Sequence, residues 1–139
     1  VALAAFIPVI IGMGGNIGTQ SSTIIVRGMA TGRIEVGSEL LVLVKELKVG
    51  LILGILYGIL LGIFANLKFI GTDPMLGLVV GLSIASSMLI AVTVGSFTPL
   101  ILRKLEIDPA VAAGPFVTTS IDILGVLLYF VIAGILLKI

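Results

Sequence analysis

Four long apolar stretches, at about residues 1–27, 39–67, 74–102 and 109–138, are separated by short polar segments that hold most of the charges. As a helix, each is long enough to cross a hydrocarbon core about 30 Å thick, which takes ~20 residues. The pattern predicts an all-α, polytopic membrane protein with four transmembrane helices, forming a single transmembrane domain over residues 1–139. Two helix starts are well marked. Asp73-Pro74 and Asp108-Pro109 each set a capping carboxylate before a proline suited to the first helical position, and Ser38-Glu39 is a weaker start of the same kind. Pro8, Pro99 and the pair Gly114-Pro115 are expected to bend the first, third and fourth helices and to free backbone carbonyls.

Glycine patterning separates scaffold from candidate site. In the second stretch Gly50, Gly54, Gly58 and Gly62 recur every fourth residue, which lays a continuous groove along one helix face. Gly77, Gly81 and Ala85 repeat the spacing in the third stretch and are its natural partners. Lipid gives helices no hydrophobic reason to associate, so close van der Waals contact through small residues must do it. These two helices therefore read as scaffold.

Composition agrees with the pattern and narrows the chemistry. Hydrophobic residues make up 59% of the chain and charged residues 11%, against about 45–50% and about 25% in soluble domains. A net charge of +1, spread over loops, gives no electrostatic case for nucleic acid. The absence of Cys and His excludes disulfides and thiolate- or imidazole-ligated zinc or copper, leaving hard oxygen ligands for magnesium, calcium or manganese. No nucleophile has a base partner, so no enzyme is expected.

The distribution of charge also sets an orientation. Arg27, Arg33, Lys45 and Lys48 flank the first loop, and Arg103 and Lys104 the third, while the opposite side has Lys68 and Lys138. The positive-inside rule then predicts a multi-pass cell-membrane protein with cytoplasmic loops near 28–38 and 103–108, and with residue 139 outside. Entry from the far side implies at least one earlier crossing ahead of Val1.

The first crossing interrupts itself with GMGGNIGTQSST, where Gly12, Gly15, Asn16, Thr19, Gln20 and Thr23 recur at three- and four-residue spacing along one face. Two readings compete. Bare glycine carbonyls with the Asn16 and Thr19 oxygens suit a cation or its waters, and the same groups suit a helix interface held by amide and hydroxyl bonds. A phosphate loop fails on context, since no strand precedes it and no Gly-Lys-Ser/Thr follows.

The fourth crossing carries Asp122, fourteen residues past Asp108 and so about 21 Å along an unbroken helix. An ionised carboxylate at that depth costs roughly 2.5–3.5 kcal/mol on insertion scales. Three accounts compete: a site for a passing cation, a proton-carrying carboxyl, and a buried hydrogen bonder. Pro115, Thr118, Thr119 and Gly125 share its stripe and add oxygens, as a hydrophilic passage requires, and no further ionisable stations suggest a proton relay. By helical rise Asn16 and Thr119 lie about 16 Å from Arg27 and Asp108, so the two stripes can face each other. One carboxylate per chain is meagre for a divalent ion, and a symmetric homodimer with the passage on its axis would double it. Magnesium, which keeps its waters, suits such a site better than calcium does.

PVIIGMGGNIGTQSSTIIVRGMATG and DPAVAAGPFVTTSIDILGVLLYF strongly resemble two membrane segments of MgtE-type magnesium transporters, and the intervening helices fit that family's order and lengths across essentially the whole chain. The resemblance implies a homodimeric, channel-like Mg²⁺ pathway with five crossings per subunit, lined by helices matching the first and fourth here. It implies that Asp122 binds hydrated magnesium in the pore, that carbonyls of Gly12 and Gly15 lie nearby with Asn16 in the same run, and that Asp108 at the cytoplasmic mouth can bind Mg²⁺. Thr19, Gln20, Thr118, Thr119 and Pro115 are then expected along the pore. Members often carry cytosolic regulatory domains, which would lie outside these 139 residues. The leading expectation is passive magnesium transport, and the alternative is a proton- or sodium-coupled carrier of a small solute. A purely structural assembly domain is the third reading.

Overall fold

The computed structural model describes residues 2–35, 37–71, 73–112 and 114–138. Val1, which opens the first expected crossing, Ala113 within the fourth, and Ile139 at the expected outer end lie outside the described residues. The chain is helical, with no strand among the described residues: α1 spans Ala2–Ala30, α2 Glu39–Lys68, α3 Leu76–Lys104, α4 Pro109–Ala112 and α5 Pro115–Leu137. All but α4 are long and apolar enough to cross a membrane.

The third helix is the hub. Half of its most apolar window is buried, against 22% for the others, because α1, α2 and α5 all pack on it. Phe6 and Ile10 of α1 meet Val80, Ile84 and Met88 of α3 and Ala133 of α5 in one cluster. Tyr129 completes that cluster, and its hydroxyl donates to the Leu3 carbonyl at 2.8 Å, tying α5 to α1. The outward faces, such as Ile52, Ile55 and Ile59 of α2, stay exposed and apolar, as lipid requires.

Helix α2 lies along α3 through its glycines. A Cβ on Gly54 would stand 3.0 Å from the Ala85 carbonyl, on Gly58 2.7 Å from that of Gly81, and on Gly62 2.7 Å from that of Gly77. Backbone meets backbone along this seam. A second close approach joins three helices, with Ser87 of α3 wedged between Gly14 of α1 and Gly125 of α5.

Boundaries depart from expectation where local chemistry takes another course. Helix α1 runs on to Ala30, ending at Gly32 with φ +71°, and Ile34 folds back to donate its N–H to the Gly28 carbonyl. Helix α3 begins at Leu76, two residues later than Pro74, because Asp73 spends its carboxylate on the Met75 N–H in a turn that precedes the helix. Ser38 stands at the N-cap of α2, but its hydroxyl turns back to the Glu35 carbonyl and caps nothing. Pro8 and Pro99 sit inside helices that continue past them.

The fourth crossing is the larger correction. It is not one helix over 109–138 but a short α4 followed by α5, which starts at Pro115 after Gly114 at φ −91°, ψ −90°. Proline has no N–H to give and its ring collides with the carbonyl four residues back, so the helix breaks and restarts here instead of bending.

Candidate functional site

The break changes where Asp122 stands along its helix. Asp122 lies seven residues past Pro115, about 10 Å along α5 and roughly a third of the way down that helix, so the 21 Å counted from Asp108 does not run along one helix. There it faces α1: a Cβ placed on Gly15 would be 3.6 Å from its Oδ1. Any side chain at position 15 would occupy the approach to the acid.

Between these helices lies a cavity of about 1140 Å³. Gly12, Gly15, Asn16, Thr19, Gln20 and Thr23 of α1 all line it, with Thr118 and Asp122 of α5 opposite. The glycine-rich interruption is thus two-faced. Gly12 and Gly15 leave the cavity wall bare, nothing standing within 4 Å of a Cβ at Gly12, whereas Gly14 and Gly18 turn inward against Ile121 and Ala91. The inward glycines make a helix interface by close packing, not by the amide and hydroxyl bonds that the interface reading named, and the polar groups line the cavity.

Hydroxyl orientation is fixed by the helix itself. Thr19 donates to the Gly15 carbonyl at 2.8 Å, Thr23 to that of Thr19 at 2.8 Å, and Thr118 to those of Gly114 and Pro115 at 3.2 and 3.1 Å. With each proton committed to backbone, what remains on these oxygens is lone pairs, so they can accept from bound water or meet a cation. Among the described residues the Asp122 carboxylate has no hydrogen-bond or ion-pair partner, and no group of three potential metal ligands of the His, Cys, Asp or Glu type occurs. The donor set suits an ion that keeps its hydration shell.

Other candidates fall elsewhere. Thr119 and Pro115 are exposed and do not line this cavity. Asp108 is exposed in the loop, its Oδ1 accepting the Ala110 N–H at 2.9 Å as the cap of α4. Gly50, Gly54, Gly58, Gly62, Gly77 and Gly81 lie along the α2–α3 seam.

Sequence reasoning passed over Glu46. It is 9% exposed, accepts the Ser21 hydroxyl at 2.7 Å, and lines the same cavity together with Arg27, Arg33 and Lys45. Between Lys45 and Lys48 it reads as one more charge at a helix end. The available signal was its place on the buried stripe, four residues ahead of Gly50 and three beyond Leu43.

Comparison with known proteins points to one family. The family model for MgtE, described as a divalent cation transporter, matches residues 7–132. The chain is 39% identical to the magnesium transporter MgtE of Thermus thermophilus over 137 residues, which cover 99% of this chain and 30% of the relative. The proteins of the same name from Bacillus subtilis and Enterococcus faecalis are 37% and 35% identical over 96% and 98% of the chain. The chain spans about three-tenths of the length of these curated relatives.

Proposed function

The chain belongs to the MgtE family of divalent cation transporters, and from that premise we propose that its helices conduct hydrated Mg²⁺ along the cavity between α1 and α5. The observation that carries the reading is the unpartnered Asp122 carboxylate standing across from bare Gly15 on the wall of that cavity. A carboxylate placed in a membrane helix with no cation beside it is costly unless it meets one in use. Here the Asp122 charge holds the ion through its waters, the Gly12 carbonyl with the Asn16 and Thr19 oxygens accepts from those waters where bare Gly15 leaves them room, and Gln20 and Thr118 continue the polar wall. Asp108 would attract the ion at the cytoplasmic mouth.

One acid per subunit gains its strength from a second copy. In a homodimer with the passage on the two-fold axis, two Asp122 carboxylates flank one divalent ion. The loops rich in Arg and Lys face the cytoplasm, in the orientation set by the positive-inside rule.

The test is Mg²⁺ uptake into proteoliposomes under an imposed membrane potential, without a proton or sodium gradient. Wild-type protein takes up Mg²⁺, and Asp122→Ala lowers the rate at least about tenfold, the Boltzmann factor for a divalent ion losing a unit charge about 5 Å away in water. Undiminished uptake by Asp122→Ala removes the acid from the pathway. Uptake that strictly requires a proton or sodium gradient replaces the passive pathway with a coupled carrier.

A further inference from the structure

Glu46 is an acid that the pathway around Asp122 does not use. It projects from α2, seven residues past Glu39, and is nearly buried on a membrane-spanning helix. Burying a carboxylate is unfavourable unless charge or hydrogen bonds compensate. Its sequence neighbours Lys45 and Lys48 are exposed, and among the described residues no ion pair closes on it. Among the described residues its single donor is the Ser21 hydroxyl, which occupies one of about four acceptor positions on an ionised carboxylate.

Helix α1 serves as a ruler for its level. Gly15 marks Asp122, Ser21 marks Glu46, and Arg27 marks the basic end of the cavity. Successive marks are six residues apart, about 9 Å of helical rise. Glu46 therefore sits midway between the level of Asp122 and that of Arg27, which with Arg33 and Lys45 gives the cavity a basic collar that repels any cation moving along the same wall.

Resting on the reading of Asp122 as a station for Mg²⁺, we infer that Glu46, oriented by Ser21, is a second cation station of the same passage and offsets that basic collar. A hydrated ion moves between the two carboxylates without shedding its waters. Ser21 is a positioning residue, fixing the carboxylate toward the α1 wall.

Glu46→Gln tests this in the intact protein, since glutamine keeps the shape and still accepts from Ser21. Initial Mg²⁺ uptake into proteoliposomes is measured at subsaturating Mg²⁺, beside wild type and Asp122→Ala. The rate falls about fivefold at low salt, the Boltzmann factor for a divalent ion losing a unit charge about 9 Å away in water. The deficit shrinks in 1 M choline chloride, where the Debye length is about 3 Å. Glu46→Asp recovers part of the rate. Should Glu46→Gln not assemble, Lys45→Gln on the exposed rim gives the opposite sign, faster uptake at low salt. Wild-type rates from Glu46→Gln while Asp122→Ala is impaired overturn the second station alone, as does a deficit indifferent to salt and to the aspartate, or an unchanged Lys45→Gln. Normal uptake by Asp122→Ala overturns the parent reading and this one with it.

Discussion

Replacing Gly58 and Gly15 separately by alanine adds the same methyl group to two transmembrane helices and should give opposite phenotypes. At Gly58 the new Cβ would lie 2.7 Å from the Gly81 carbonyl oxygen, against 3.4 Å or more for ordinary contact, so α2 must retreat from α3 by about 0.7 Å. A gap of that size forfeits roughly a quarter to a half of each dispersion contact along the seam, including those of Gly54 and Gly62. Overpacking of this kind costs about 1–3 kcal/mol, which outweighs the gain of about 0.5–1 kcal/mol from alanine's helix propensity. At Gly15 the nearest atom is Asp122 Oδ1 at 3.6 Å, an ordinary contact, so only the propensity gain and the narrowed cavity remain. Circular dichroism melts in detergent should show Gly58→Ala destabilised and Gly15→Ala unchanged or slightly stabilised. Mg²⁺ uptake per folded protein should fall for Gly15→Ala. A Gly58→Ala protein as stable as wild type would refute the backbone-to-backbone account of the seam, and full uptake by Gly15→Ala would refute the placement of the passage.

Tyr129→Phe removes the hydroxyl that reaches the Leu3 carbonyl and should lower stability by about 1 kcal/mol in the same melts. Its Mg²⁺ uptake should stay at the wild-type rate, since the bond lies away from the cavity lining. Ser87→Ala takes away a buried hydroxyl with no hydrogen-bond partner among the described residues, so stability should hold or rise, and a loss above about 1 kcal/mol would reveal a partner such as trapped water.

The crossings were legible because lipid imposes length and apolarity on every helix, and the polar stripe of α1 because a 3.6-residue period gathers Gly12, Asn16, Thr19 and Thr23 on one side. Depth along the fourth crossing was not. Counting rise from Asp108 assumes an unbroken helix, whereas Pro115 forces a restart whose geometry no periodicity records. The role of Asp73 escaped for a similar reason, since a carboxylate before proline serves a helix cap and a preceding turn equally well. Glu46 was hidden by its neighbours: a charge between two lysines near a helix end looks solvated, and only the packing of α1 across it shows that it is buried.

The α1 segment explains why so many small residues fall in one run. A helix that must both pack tightly inward and stay bare toward a cavity needs minimal side chains on two faces, here about a third of a turn apart, which within one turn leaves room for little else. Gly14 and Gly18 answer the first demand, and Gly12 and Gly15 the second. Their separation also sets the chemistry available. Because the inward glycines bring α1 against Ile121, the residue next to Asp122, the acid is held beside the bare wall by packing and not by a hydrogen bond of its own. A carboxylate fixed in this way has its oxygens open toward the cavity. Threonines whose protons are already spent on the backbone add acceptors without competing donors. On the proposed reading such a wall would hold a cation through oxygen at a distance that leaves its waters in place, which for Mg²⁺ avoids the dehydration it resists most. Selectivity in this arrangement would come from the width of the passage and the spacing of charge along it, not from an inner-sphere cage.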